Sequence, residues 1–164
     1  MTRLTLSTII GNVETPVLRK TTPADEPFLI QLFMDVRGDE LRGAGLPEAQ
    51  IEQLLMMQYN AQTQTYGGNF PDAEHSIIEV EGAPVGRMLT DRSEQCTRLV
   101  DISILSEERG KGIGSYCLEV LKKEGERISL QVFAQNSGAI RLYQKHGFEF
   151  AAEDGMYLEM EWKR

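Results

Sequence analysis

Along several short segments of the chain, apolar and polar residues alternate, whereas elsewhere apolar residues recur every three or four positions. Alternation predicts strands at 16–21, 77–80, 85–90, 98–105, 128–133 and in two closing segments between 148 and 162. The three-to-four spacing predicts helices, which begin near Thr22, Pro47, Ile113 and Ser137. Residues 1–15 fit neither pattern well, and we interpret them as an N-terminal arm or an edge strand.

The order of these segments predicts the fold class. It is a strand, two helices, three strands, a helix, a strand, a helix and two strands. Hairpins therefore come before a single βαβ unit, which is typical of an α/β (α+β) fold with a mixed, mostly antiparallel sheet of six to seven strands and about four helices on its faces. No repeat or linker divides the chain, so we expect one domain over residues 16–164.

Composition narrows the function classes. Charged residues make up 26% of the 164 residues, and the formal net charge is −8. This acidity argues against nucleic acid or an anionic membrane as a partner, and no apolar run reaches the length of a membrane span. Two cysteines and two histidines offer no disulfide framework and no zinc ligand set, so no metal is expected. Without a signal peptide pattern at the N-terminus, we expect a cytoplasmic protein.

Three glycines at alternate positions stand between a predicted strand and a predicted helix: Gly110, Gly112 and Gly114. Free amides and the helix dipole make such a loop a recurring anion site, and Arg109 and Lys111 add positive charge. The spacing does not fit a P-loop, and it fits a dinucleotide fingerprint only poorly. A tight turn that binds no ligand is the simpler alternative.

Two sequence motifs together resemble the motifs of one known family. The pattern [RQ]-x-x-G-x-[GA] is met by Arg109, Gly112 and Gly114, and it resembles the pyrophosphate loop of the GNAT superfamily of N-acetyltransferases. The segment NSGAIRLYQKHGF at 136–148 is similar to the second GNAT motif, N-x-x-A-x-x-L-Y-x-x-x-G-F. Its matching residues are Asn136, Ala139, Leu142, Tyr143, Gly147 and Phe148.

This resemblance implies acetyl-CoA as the acyl donor and assigns residues to its binding. The loop that would hold the pyrophosphate consists of Arg109, Gly110, Lys111, Gly112, Ile113 and Gly114. The backbone of Ile102, Ser103 and Ile104 would hold the thioester carbonyl, and Tyr143 would be the general acid. Asn136 would contact the CoA arm, although an asparagine before a helix also serves as an N-cap.

The resemblance does not supply a general base. The positions that carry a glutamate in ribosomal-protein and histone-type members are occupied here by Gln131 and the region of Arg98. Asp101, His75 and Glu79 remain candidates, each also typical of a surface or structural group. The implied function is N-acetyl transfer to a primary amine by direct attack. A non-catalytic CoA-binding sensor and a transferase of another acyl group are the alternatives.

The acceptor is expected to be a small-molecule or peptide amine. Acidic residues in the helical region after the first strand favour a cationic acceptor, although a solvated helix face has the same pattern. They are Asp35, Asp39, Glu40, Glu48 and Glu52. Cys117 lies on an apolar helix stripe and is interpreted as a buried, inert thiol, and His146 is given no catalytic role. If the protein forms an oligomer, a homodimer is the commonest arrangement.

Overall fold

The computed structural model describes residues 14–164, so the predicted N-terminal arm falls almost entirely outside the described residues. Within these residues, seven strands and four helices follow one another. The strands are β1 (Val17–Lys20), β2 (Glu74–Val80), β3 (Ala83–Arg92), β4 (Thr97–Ile104), β5 (Arg127–Phe133), β6 (Glu149–Glu153) and β7 (Tyr157–Lys163). The helices are α1 (Glu26–Arg42), α2 (Glu48–Asn69), α3 (Ile113–Glu124) and α4 (Ser137–Lys145).

All seven strands form one sheet, in the order β1-β2-β3-β4-β5-β7-β6. Each neighbouring pair is antiparallel except β4 and β5, which run parallel because the α3 crossover joins them. The predicted fold class, a mixed and mostly antiparallel sheet with four helices, is confirmed.

The first helix extends further than its sequence pattern suggests. The glycine-rich stretch from Gly38 predicts a break, but α1 continues through Gly38 as far as Arg42. Gly38 is buried, and a Cβ placed there would lie 3.0 Å from Nη1 of Arg42. The missing side chain therefore makes room for the arginine, and the chain turns only between Gly43 and Pro47.

The helices cover the sheet from both sides. Neighbouring strand residues point to opposite faces, so Ile77 packs with Leu29 of α1 and Tyr59 of α2, whereas Ile78 belongs to the larger core on the other face. That larger core includes Cys117 of α3 and Tyr143 of α4. The sheet thus separates an α1/α2 face from an α3/α4 face.

The sheet opens between its two parallel strands. Strands β4 and β5 pair only from Thr97 to Leu99, although both continue beyond that point. Just after the last pair, the register of β3 against β4 shifts, so that Val100 is an extra residue in β4. Such a bulge increases local twist and bends the strand. The result is a gap between the later halves of β4 and β5.

Candidate active site

The gap exposes backbone donors of β4. Leu105 N–H donates to Val85 O of β3 at 2.9 Å. Because backbone N–H groups of a strand alternate in direction, the amides of Ile102 and Ile104 point away from β3 and into the gap. Each of these N–H groups can donate to a carbonyl oxygen in the gap, which is the role that the sequence predicts for this segment. Because they lie about 6.6 Å apart along the strand, they would hold two different oxygens.

Ser103 does not share this arrangement. Its backbone pairs with Arg87 of β3, and a Cβ placed on Gly86 would lie only 2.4 Å from Ser103 O, so both backbone polar groups of Ser103 face β3. The predicted backbone contact of Ser103 with the thioester is therefore not supported. Its side chain lies on the α1/α2 face instead, where Oγ donates to Oδ2 of Asp101 at 3.1 Å.

The glycines of the loop have two different tasks. Gly110 and Gly112 adopt φ values of 74° and 83°, which residues with a side chain rarely adopt, and a Cβ on either would meet nothing within 4 Å. At Gly114, in contrast, a Cβ would lie 3.2 Å from Cδ2 of Leu142. The first two glycines set the path of the loop beside open space, and the third lets α3 pack against α4.

The start of α3 has free hydrogen-bond donors. Gly112 is the N-cap and provides no side chain, and the first helical bond runs from Tyr116 N–H to Gly112 O at 3.0 Å. The N–H groups of Ile113, Gly114 and Ser115 have no acceptor within residues 14–164. A shallow groove lies beside them, between this helix start and residues 14–16. Free amides at a positive dipole end suit an anion such as a pyrophosphate.

The two cations of the loop already have partners. Arg109 Nε donates to Ile104 O at 3.2 Å, which connects the loop to the end of β4. Lys111 Nζ lies 3.0 Å from a carboxylate oxygen of Glu108. Both Arg109 and Lys111 are exposed residues. Arg109 thus keeps its two Nη groups available for an anion while its Nε orients the strand end.

Tyr143 of α4 is 8% exposed and packs against the ring of Phe148, with centroids 5.8 Å apart. Burial raises the pKa of Tyr143 to about 12, and the Asp101 carboxylate contributes to the rise. Asp101 belongs to the opposite face, so this influence acts across the sheet. Tyr143 is therefore protonated at neutral pH, as a proton donor must be.

Asn136 has the structural role that the sequence allowed for it. It precedes α4, and its Oδ1 accepts a hydrogen bond from Ala139 N–H at 3.2 Å. This is an N-cap, which leaves the side-chain NH₂ of Asn136 without a partner among residues 14–164. A contact with the CoA arm is compatible with this arrangement and stays a prediction.

A buried polar cluster on the α1/α2 face lies next to the gap. Arg87 of β3 is 8% exposed and donates to Oδ2 of Asp101 and to Oε1 of Gln62, at 2.8 Å each. Its guanidinium carbon also lies 5.8 Å from the ring centroid of Tyr66. Of this cluster, only Asp101 was predicted from the sequence as a candidate residue. The sequence feature that could have revealed the cluster is Arg87, a charged residue in the middle of an apolar strand.

The acidic residues of α1 and α2 do not gather around the gap. Asp35 accepts hydrogen bonds from the backbone N–H and Oγ of Ser106, at 2.7 and 2.8 Å. Asp39 and Glu48 both pair with Arg42. Most of these carboxylates therefore hold local structure together, which favours the simpler interpretation of a solvated helix face.

Other candidate chemistry is limited. Burial raises the pKa of Cys117 to about 12, which makes its thiol a poor nucleophile, as predicted from its position on the helix. Within residues 14–164, no group of three or more His, Cys, Asp or Glu side chains is placed to hold a metal ion. In the same range, no helix has both the length and the apolar character that crossing a membrane requires.

Comparison with known proteins decides the family. A sequence model of the acetyltransferase (GNAT) family matches residues 41–148. The chain belongs to the GNAT family. An uncharacterized N-acetyltransferase of Methanocaldococcus jannaschii is 34% identical over 85 residues, which cover 44% of this chain and 38% of that protein. A second curated relative is matched over 45% of its length, so this GNAT chain spans less than half of either.

Solved structures share the GNAT fold over more than nine-tenths of the chain. The PaiA N-acetyltransferase of Thermoplasma acidophilum, in complex with coenzyme A, has a TM-score of 0.68 at 22% identity and covers 91% of this chain and 99% of its own. An acetyltransferase from Thermus thermophilus has the same TM-score and identity, and covers 93% of this chain and 99% of its own. At such identities, the likeness establishes the fold.

Proposed function

We propose that this GNAT protein transfers an acetyl group from acetyl-CoA to a primary amine, which attacks the thioester directly. The observation that carries the proposal is the gap between β4 and β5, which leaves the amides of Ile102 and Ile104 free, with the protonated Tyr143 within electrostatic range of the Asp101 carboxylate. Family membership supports acetyl transfer, and a fold neighbour that contains coenzyme A supports the donor.

The donor would bind along the start of α3. The free amides of Ile113, Gly114 and Ser115 would receive the pyrophosphate, and the Nη groups of Arg109 and the ammonium of Lys111 would add charge beside it. The pantetheine arm would then run into the gap, which brings the thioester carbonyl to the amides of Ile102 and Ile104.

In the reaction, the amine nitrogen forms a bond to the carbonyl carbon, and the carbonyl oxygen becomes negative. One of the Ile102 and Ile104 amides would donate to that oxygen and stabilise its charge, and the other would be free to hold a carbonyl of the pantetheine arm. The C–S bond then breaks, the sulfur leaves as a thiolate that accepts a hydrogen bond from the Tyr143 hydroxyl, and the surplus proton on the acylated nitrogen passes to water or to that sulfur. The Tyr143 pKa of about 12 lies above that of an ordinary thiol, so we expect Tyr143 to act chiefly through a strong hydrogen bond.

Asp101 would serve the amine side. Its Oδ2 accepts from Arg87 Nε and Ser103 Oγ, whereas Oδ1 has no partner within residues 14–164. An incoming ammonium group would donate to Oδ1 and lose one proton to water before it attacks. Primary amines that enter as cations are therefore the acceptor class that we propose.

The experiment is to follow thiol release from acetyl-CoA across a panel of primary amines, with CoA affinity measured separately by calorimetry. We expect turnover with at least one cationic amine. A parallel panel with succinyl-CoA tests the alternative acyl group. If CoA binds but no amine is acylated from either donor, the protein is a CoA-binding module and the catalytic proposal is wrong.

A further inference from the structure

Three polar side chains connect the first turn of α3 to the end of α4. Oγ of Ser115 lies 2.9 Å from Nε2 of His146, and Nδ1 of His146 lies 2.8 Å from Oε1 of Glu119. The His146 side chain is 10% exposed, whereas that of Glu119 is 46% exposed. This chain of contacts therefore begins at the surface, passes through a nearly buried imidazole and ends at the proposed pyrophosphate site.

The position of one hydrogen in this chain follows from Glu119. Hydrogen bonds from His146 and Lys122 lower the pKa of Glu119, so its carboxylate is ionised at neutral pH. An ionised carboxylate only accepts hydrogen bonds, and Nδ1 of His146 must therefore carry a hydrogen. The contact that remains to be settled is the one between Nε2 and the Ser115 hydroxyl.

That contact has two forms, which differ in what Ser115 offers to a ligand. If the imidazole is neutral, Nε2 accepts the only hydrogen of the Ser115 hydroxyl, which then has only lone pairs left for a ligand at the helix start. If the imidazole is protonated, Nε2–H donates to Oγ, and the hydroxyl hydrogen becomes free. A phosphate oxygen only accepts hydrogen bonds, so it is complementary to the second form alone.

We propose that Ser115 donates a hydrogen bond to the pyrophosphate of CoA, and that His146, held by Glu119, takes up a proton when CoA binds. The inference rests on the proposed function, because CoA is the anion concerned. His146 and Glu119 are positioning residues here, since they act through the serine hydroxyl. Serine hydrolases use the same connectivity to activate a nucleophile, but Ser115 lies among amides suited to an anion.

The surroundings of His146 do not offer a competing partner. Among the described residues, α3 contributes the charges of Glu119 and Lys122, and these two groups also pair with each other at 3.0 Å. Strand β7 contributes Trp162, which is uncharged and lies beside Gly147. Lys145, the neighbour of His146 along α4, is an exposed residue. The proton exchange is thus assigned to a single imidazole.

The test is calorimetric binding of dephospho-CoA in two buffers of different ionisation enthalpy, repeated between about pH 6 and 8, within the range in which histidine side chains change their charge. Dephospho-CoA keeps the pyrophosphate but lacks the 3′-phosphate, whose own proton would titrate at about pH 6. We expect net proton uptake by the wild type and none by His146→Gln. His146→Lys supplies a permanent donor to Ser115 and should bind without proton uptake at nearly wild-type affinity.

Ser115→Ala should lose the uptake and bind about tenfold more weakly, as expected for one hydrogen bond to a charged group. Binding by the wild type without proton exchange overturns the inference and leaves the proposed function intact, as does equal uptake by His146→Gln. Absence of binding by both CoA and dephospho-CoA to the folded wild type overturns the proposed function and this inference together. Imidazole NMR signals of His75, the other histidine, should not move on binding.

Discussion

The two sides of the gap are built in different ways. On the donor side, one continuous stretch from the end of β4 to the start of α3 provides most of the proposed contacts, and more of them are backbone amides than side chains. On the acceptor side, side chains from three elements converge: Gln62 of α2, Arg87 of β3 and Asp101 of β4. The donor side depends on local chain geometry, and the acceptor side depends on long-range packing.

This difference explains why a GNAT protein reveals its donor more readily than its acceptor. A loop that binds through amides needs glycines at set positions, and those positions form a motif. A site made of side chains from distant segments needs only compatible partners, and many combinations serve. The following variants separate the two sides, beginning with the largest expected effect.

Tyr143→Phe tests the group that stands between the two sides. Removing the hydroxyl should lower kcat by about a hundredfold to a thousandfold, as expected for a lost hydrogen-bond donor to charge that develops in the reaction, with little change in the affinity for acetyl-CoA. The fold should survive, because the hydroxyl has no hydrogen bond to a described residue. Steady-state thiol release measures the effect. An unchanged kcat, where chemistry limits the rate, would contradict the role of Tyr143.

Gly112→Val should disable the donor side. The new side chain would project into the open space beside the loop, where the pyrophosphate is proposed, and it would strain a backbone with φ of 83°. Loss of two hydrogen bonds to a charged ligand predicts about a hundredfold weaker CoA binding, measured by calorimetry.

Gly82→Val is the matched control for that variant. Gly82 lies in the turn between β2 and β3, with φ of 78°, and a Cβ placed there would also meet nothing within 4 Å. Both variants should lose about 1–2 kcal/mol of unfolding free energy through backbone strain. Only Gly112→Val should weaken CoA binding, and equal affinities in the two variants would show that the loop does not contact the ligand.

Asp101→Asn should affect the acceptor side alone. The amide oxygen can still accept from Arg87, but the charge that would attract an ammonium is gone, so kcat/KM for the amine should fall about tenfold or more. CoA affinity should stay the same. Asp25→Asn is the control, because Asp25 also pairs with a partly buried arginine, Arg19 at 2.7 Å, at the far edge of the sheet. If Asp25→Asn also lowers kcat/KM for the amine, the effect of Asp101→Asn comes from a less stable fold and not from the acceptor site.

The smallest expected effect is the pH dependence of folding stability that His75 produces. Burial and the charge of Arg87 lower the pKa of His75, so the folded protein takes up this proton at a lower pH than the unfolded chain does. Between the pKa of His75 in the folded protein and its pKa in the unfolded chain, the unfolded chain binds more protons than the folded protein does. The free energy of unfolding should therefore fall as pH drops below about 6.5. Thermal unfolding at several pH values should show this fall in the wild type and less of it in His75→Gln.

The sequence by itself determined the order of the elements, the mixed sheet and the two GNAT motifs. Hydrophobic periodicity and glycine spacing are local properties, and they suffice for such features. Its error at Gly38 was also local in origin: the glycine spacing suggested a break, but α1 continues through Gly38, beside which the Arg42 side chain packs one turn later.

Only the tertiary structure decided which groups reach the gap. The register of β4 against β3 directs the amides of Ile102 and Ile104 into the gap and the backbone groups of Ser103 toward β3. A register shift by one residue would reverse each of these directions. Packing of α3 against α4 joined Ser115 to His146, which are 31 positions apart. Such pairings depend on how distant segments meet in space, and the pattern of a single segment does not contain them.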